Sequence, residues 1–327
     1  MAILVTGAAG FIGFHAARAL LQRGETIVGV DCLTEFYDVS LKTARLAELA
    51  RFERFSFEHL DLADHEKVRA LVLDHGFTRI LHLAAQAGVR YSLQNPFAYA
   101  HSNVSGHLSV LEAARALGSR LEHLVYASSS SVYGERPARR GFREDDPVDA
   151  PVSLYAATKR ADELMTSTYA HLYAVPATGL RFFTVYGPWG RPDMAYFSFS
   201  EKMIAGETID LFNAGRNTRD FTFIDDIIAP LIKLLDDNPG PGARIFNIGG
   251  SSPVDTLSLV SALEKGLGLT ARVSHAPAQP GDVSATWADT SAFDALYGPT
   301  PQTSLDAGIA VFTDWFIQWR EARVKAS

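Results

Sequence analysis

The first thirty-one residues constrain this chain more than any other stretch. Ala2-Ile-Leu-Val-Thr6 is a short apolar run with β-branched residues, the pattern of a buried strand. Gly7-Ala-Ala-Gly10-Phe11-Ile12-Gly13 follows, and Phe14 to Arg23 then carries helical periodicity as far as Gly24. A second strand, Thr26 to Val30, ends at Asp31. Strand, glycine turn, helix, strand and acid in that order predict a dinucleotide-binding unit. Gly7 permits the tight turn, Gly10 lets the main chain approach a pyrophosphate, and Gly13 lets the helix pack close to the strand. The pyrophosphate is expected at the positive N-terminal end of the helix, with Phe11 and Ile12 among its neighbours. Asp31 can accept from both ribose hydroxyls and repels a 2′-phosphate, which favours NAD over NADP.

The remaining composition removes several classes of function. The chain has 327 residues, enough for a large core and two lobes. Its charge is −7, from 30 basic and 37 acidic residues without a basic run, which argues against nucleic acid as a partner. Cys32 is the single cysteine, so an intrachain disulfide is excluded. No basic-plus-apolar leader and no run of eighteen apolar residues is found, so a cytoplasmic protein without membrane contact is expected. No metal site suggests itself.

Strands and helices alternate through about residue 185. Phe55 to Leu60 reads as a strand ending at Asp61-Leu62, where Asp61 could meet an adenine amino group or cap the next helix. Arg79 to Leu83 is a further strand. It opens into Ala84-Ala85-Gln86, small residues past which a ligand can lie close. Pro96 to Leu117 reads as one long helix containing Asn103, and Leu121 to Tyr126 as the strand that delivers Ser128-Ser129-Ser130-Ser131. Val152 to Tyr173 is the helix carrying Tyr155 and Lys159, and Thr178 to Phe183 is the next strand. Ligands of open parallel sheets bind at the carboxyl ends of the strands, where all these residues emerge. Four residues apart, Tyr155 and Lys159 share a helix face. A lysine charge beside a phenol stabilises the phenolate, and a serine hydroxyl can bridge the phenol to a substrate hydroxyl. Such a pair is by itself most often an ordinary pair of exposed helix neighbours. A dinucleotide site at the same edge makes it a redox pair.

These segments, together with Ala84 to Ser92, Arg181 to Ala195 and Arg219 to Asp226, resemble the extended short-chain dehydrogenase/reductase family. The resemblance covers nearly the whole chain and is nearest to nucleotide-sugar 4-epimerases, UDP-glucuronate 4-epimerases in particular. It implies an α/β fold: a Rossmann-type doubly wound parallel sheet with a smaller C-terminal α/β substrate-binding lobe. The implied division is 1–185 for the NAD-binding domain, with part of 220–250 returning to it, and 186–327 for the UDP-sugar-binding lobe. It also implies that Tyr155 is the base, that Lys159 tunes it and holds the nicotinamide ribose, and that Ser129 is the hydroxyl partner. Leu62, Leu83, Asn103 and Phe183 join Asp61 and Ala84 to Gln86 as cofactor contacts.

Ser130 and Ser131 would line the sugar pocket. Sugar-nucleotide dehydratases carry an Asp-Glu pair there, and UDP-glucuronate decarboxylases a glutamate at the second position, so their absence points to simple inversion at C4. A 4-keto glucuronate is a β-keto acid, and its carboxylate needs polar donors to stay in place. Arg90 and Thr184 are the residues expected to hold it. For the nucleotide diphosphate the expectation is Arg191 and Arg219 at the phosphates, Phe199 or Phe212 on uracil, and Asp282 at the ribose. Galactose epimerases have an arginine where this chain has Gln279, so Arg191 is expected to share phosphate binding. The resemblance implies a homodimer in which the helices Pro96–Leu117 and Val152–Tyr173 pair across a two-fold; their amphipathic character alone is equally explained by burial within one chain. The alternatives are a UDP-glucose/UDP-galactose 4-epimerase, a UDP-glucuronate decarboxylase, and a non-enzymatic nucleotide-sensing module.

Overall fold

The computed structural model describes residues 2–137, 139–277 and 282–326. In the first part of the chain β1 (Ala2–Thr6), α1 (Phe11–Gln22), β2 (Thr26–Asp31), α2 (Val39–Leu49), β3 (Phe55–His59), α3 (His65–His75) and β4 (Arg79–His82) alternate. Two short helices, α4 (Val89–Gln94) and α5 (Pro96–Tyr99), pass through a π-helical turn at Ala100–Ser105 into α6 (Gly106–Leu117). Next come β5 (His123–Ser129), α7 (Leu154–Tyr173) and β6 (Pro176–Phe182). The remainder holds β7 (Thr184–Tyr186), α8 (Ala195–Ala205), β8 (Thr208–Phe212), β9 (Thr218–Phe223), α9 (Ile224–Leu235) and β10 (Gly242–Ile248). After them lie β11 (Pro253–Asp255), α10 (Thr256–Leu267), β12 (Arg272–Ala276), α11 (Ser291–Tyr297) and α12 (Leu305–Ala326).

Seven parallel strands form the main sheet in the order β10-β6-β5-β4-β1-β2-β3. The order runs outward from β1 in both directions, so connections leave to opposite faces beside β1 and β4 and open a crevice there. Thr6 is in register with both Val30 and His82, which aligns the strand ends that flank this crevice. Strands buried on both faces need apolar residues at successive positions, and β1 supplies them. Val5, Leu81, Val125 and Leu180 pack with Phe14, Leu20, Ile227 and Leu231. Leu4, Val28, Ile80 and Leu124 pack on the other side with Val72, Leu111 and Leu117. Each such side chain contributes about 1.5–3 kcal/mol by burial.

Helix α9 packs on α1, and β10 pairs with β6 at the sheet edge, so the chain re-enters the large layer after β9. The small lobe contains the mixed sheet β11-β9-β7 and the parallel pair β12-β8. Its helices meet through aromatic edges, with Tyr196 4.8 Å from Phe312 and Phe197 5.0 Å from Phe316 between ring centres.

The helix expected over Pro96–Leu117 is not regular. The π turn at Ala100–Ser105 inserts extra backbone and turns Asn103 into the interior, where polar partners wait for it. Strand β5 runs three residues further than its apolar pattern suggests, to Ser129. There it remains paired with Phe182.

Candidate active site

Main-chain geometry builds the floor of the crevice. Gly7 has φ +71° and donates to the Val30 carbonyl at 2.7 Å, and Gly10 donates to the Gly7 carbonyl at 2.9 Å. A β-carbon on Gly13 would lie 2.0 Å from the Gly7 oxygen, and one on Gly7 only 2.7 Å from the Ala84 nitrogen. The turn therefore tolerates no side chain at either place. One cavity is lined by Gly7, Gly10, Phe11, Ile12, Gly13, Asp31, Asp61, Leu62, Leu83, Ala84, Ala85, Gln86 and Phe183, and equally by Ser129, Tyr155 and Lys159. Asp31 accepts from the amides of Ala9 (3.2 Å) and Leu33 (2.9 Å), which fix its carboxylate at the strand end. Asp61 accepts from Ala63 N (2.9 Å) and pairs with His101 (2.8 Å). Burial pushes its carboxyl up, but these partners outweigh that and hold it below its ordinary value. Asp64, not Asp61, caps α3, by accepting from Lys67 N.

Asn103 lies behind the cavity wall and is buried. Its side chain accepts from Gln86 N (2.8 Å) and donates to Gln86 O (3.1 Å) and Thr158 Oγ1 (2.9 Å), tying the Ala84–Gln86 loop to α7. Two basic residues of α2 escaped sequence reasoning. Lys42 lines the cavity and donates to Thr34 O (2.6 Å) and Oγ1 (3.0 Å). Burial lowers its pKa, against the pull of nearby Asp31. Arg45 is fully buried. It donates to the carbonyls of Ala9, Trp189 and Gly190 and to the Tyr37 hydroxyl, joining the glycine turn to the loop before Arg191. The available signal was their spacing: positions 42 and 45 share the buried face of α2 with Leu41 and Leu49.

The serine run ends β5 and turns into a 3-10 segment, Ser130–Tyr133, in which Ser130 and Ser131 are half-buried. Ser129 Oγ accepts from Ser131 N (3.2 Å) and Ser131 Oγ (2.9 Å), so its own proton is free to be donated into the cavity. Ser153 caps α7 through Ala156 N, which places Tyr155 in the first helical turn, edge-on to Tyr99 at 6.1 Å. Lys159 is buried and donates to Ala127 O (3.0 Å) and Asp162 Oδ2 (3.0 Å), leaving one of its three N–H groups for the cavity. Below them, Glu163 binds Arg181 through two hydrogen bonds (2.8 and 3.0 Å) and accepts from Ser128 at 2.6 Å.

The residues expected to bind substrate fall into two groups. Arg191 lines the same cavity as Tyr155, with its guanidinium on Asp193. Thr184 is half-buried at the start of β7. Arg90 is largely exposed, donates to Asp282 at 3.0 Å and stands 5.0 Å over the Phe212 ring. Arg219 donates to Val283 O (2.7 Å) and Thr218 O (2.8 Å) and feels the charge of Asp282. Arg90 from α4 thus meets Phe212, Arg219 and Asp282 from the later part of the chain in one cluster. Phe199 packs against the apolar core. Gln279 lies outside the described residues. Among the described residues no group of three His, Cys, Asp or Glu is placed to hold a metal ion.

A family model described as the NAD dependent epimerase/dehydratase family matches residues 3–249, and the chain belongs to that family. It is 50% identical to a 37.6 kDa protein from the cld 5′ region of Escherichia coli O111:H-, over 97% of this chain and 98% of that one. It is 43% identical to the probable UDP-glucuronate 4-epimerase of Rhizobium meliloti, covering 97% of each chain. Among solved structures, the UDP-glucuronic acid 4-epimerase of Bacillus cereus in complex with UDP-glucuronic acid and NAD superposes with a TM-score of 0.91. Its identity is 35%, over 98% of this chain and all of that one.

Proposed function

We propose that this chain catalyses NAD-dependent 4-epimerisation of UDP-glucuronate to UDP-galacturonate. The observation that carries the reading is a single cavity lined by the glycine turn, Asp31, Ser129, Tyr155 and Lys159. The cradle fits a dinucleotide, because the close approaches at Gly7 and Gly13 leave main chain alone where a pyrophosphate needs to come near. Asp31 and Lys42 would hold the adenosine ribose, Gly10 to Gly13 the pyrophosphate, and Lys159 the nicotinamide ribose. NAD, when bound, supplies the acceptor and later the donor of the C4 hydride.

The chain's own residues do the rest. Tyr155 takes the 4-hydroxyl proton, relayed through Ser129, whose Oγ–H is free, and gives it back after the ketone has presented its other face. Lys159 stabilises the phenolate in between. Neither Ser130 nor Ser131 offers a carboxylate, so elimination has no general acid there. The same reading divides the arginines between two tasks. Arg191 shares the cavity with Tyr155 and suits the sugar carboxylate, whereas Thr184, Ser130 and Ser131 are half-buried beside the lining residues Phe183, Val185 and Ser129. Arg90 and Arg219, beside Phe212 and Asp282, suit the nucleotide diphosphate.

Incubation with UDP-glucuronate and no added NAD, followed by separation of products, tests the function. UDP-galacturonate is expected. UDP-pentose would reassign the chain to decarboxylation, and turnover of UDP-glucose alone would sink the acid-sugar assignment. We also read the chain as a homodimer. Leu154, Leu164 and Leu172 recur on one side of α7 and are exposed together with Leu108 of α6, a face a second copy would cover. Sedimentation at about twice the 35.6 kDa chain mass checks this. Among the described residues no helix is long and apolar enough to cross a membrane. The single cysteine goes with a cytoplasmic place for the enzyme.

A further inference from the structure

Lys159 follows Tyr155 by about one turn on the same face of α7, and its ammonium is not free. Asp162, one turn further along α7, is 1% exposed and sits 3.0 Å from it. Lys159 is the one side chain that hydrogen-bonds the Asp162 carboxylate among the described residues, and the carboxylate's second oxygen has no hydrogen-bond partner there. A carboxylate buried in this state is expensive, because desolvation of a charge is repaid only by full pairing. The tie between α7 and β6 is made by its neighbour Glu163 through Arg181.

We propose that Asp162 is a positioning residue for the reaction: it holds Lys159 by one donor, cancels part of its charge, and so sets how strongly Lys159 stabilises the Tyr155 phenolate. The inference rests on the Tyr155–Lys159 chemistry proposed above. Three N–H groups are shared among Ala127 O, Asp162 and the cavity, so each one Asp162 takes is withheld from ribose and phenol. Its negative charge opposes ionisation of Tyr155, as any like charge would. The two acids are therefore coupled through Lys159: protonating Asp162 frees the full lysine field and favours the phenolate. Burial pushes the Asp162 carboxyl up to about 6, against the pull of Lys159, so the exchange falls near working pH.

The other groups facing this pair do not titrate with it. His82 on β4 is pushed down to about 3 by burial, and His107 on α6 is held well below its ordinary range by the same cause. Tyr126 on β5 is driven upward by burial. Glu163 is committed to Arg181, and Arg191, beyond Tyr155, to Asp193.

The test is the NAD-bound Asp162→Asn enzyme, which keeps shape and loses charge. The phenolate midpoint, read by ultraviolet titration with Tyr155→Phe as the blank, should fall by about one pH unit. The acid limb of kcat should move with it, giving about fivefold more of the plateau rate one unit below the wild-type midpoint, at unchanged NAD content. Asp162→Ser, smaller and also neutral, must shift the midpoint the same way. An unmoved or raised midpoint overturns the proposal, as does a rate lost equally at every pH. Because the phenolate is read without sugar, failure to turn over UDP-glucuronate counts against the proposed function alone.

Discussion

Two acids stand side by side on α7, and their surroundings are opposite. Glu163 is fully satisfied: Arg181 grips both oxygens, Ser128 and Arg160 add hydrogen bonds, and Arg181 passes its remaining donors to Tyr133 and the Glu144 carbonyl. Burial would raise its carboxyl, yet these partners bring it below its ordinary value. Asp162 has one partner and an orphaned oxygen, and burial wins. A complete network makes a joint, in this case between α7 and β6. An incomplete one leaves a charge whose state can still change, and it lies on the side of the helix that reaches Tyr155.

Three measurements would break or sharpen that contrast. The largest effect is expected on the cavity side. Tyr155→Phe should lower kcat by roughly 10²–10⁴-fold while NAD content and melting temperature stay unchanged. A normal rate would mean that another base is at work. On the joint side the effect should be purely structural. Arg181→Met leaves Glu163 buried without its main counter-ion and should cost about 3–5 kcal/mol in denaturant unfolding. A loss below 1 kcal/mol would remove the distinction between the two acids.

The smallest effect is a pH signature of opposite sign. Asp162 has a raised folded-state pKa, so it binds its proton more tightly folded than unfolded. Its contribution to stability is present below the unfolded value near 3.8 and is lost as pH rises towards about 6. Glu163 is lowered, so its contribution is present above the unfolded value near 4.5 and is lost as pH falls through its folded value. Relative to wild type, Asp162→Asn should gain stability as pH rises from 3.8 to about 6, and Glu163→Gln should lose it as pH rises from the folded Glu163 value to 4.5. Melting curves from acid to neutral pH would show both. Parallel curves for the two variants would sink the contrast.

How legible these parts were in the sequence followed from how local they are. The glycine turn, Asp31 and the Tyr155–Lys159 spacing are set within one turn or one helix, and each lies where the motif puts it. Asn103 was singled out, but its place behind the Gln86 loop depends on a π turn that apolar periodicity does not encode. Lys42 and Arg45 were missed because nothing near them in sequence announces partners at Thr34, Ala9 and Trp189. Arg90 and Arg191 were visible as candidates, while their neighbours, Asp282 and Phe212 for one and the catalytic cavity for the other, come from distant segments.

By itself the sequence determined the parallel sheet, the dinucleotide turn and the helix face shared by Tyr155 and Lys159, because backbone conformation and helical spacing are short-range properties. Only the tertiary structure decided which arginine shares the cavity, and that Asp162 and not Glu163 is left half-paired. Those outcomes depend on desolvation and on partners brought together by folding.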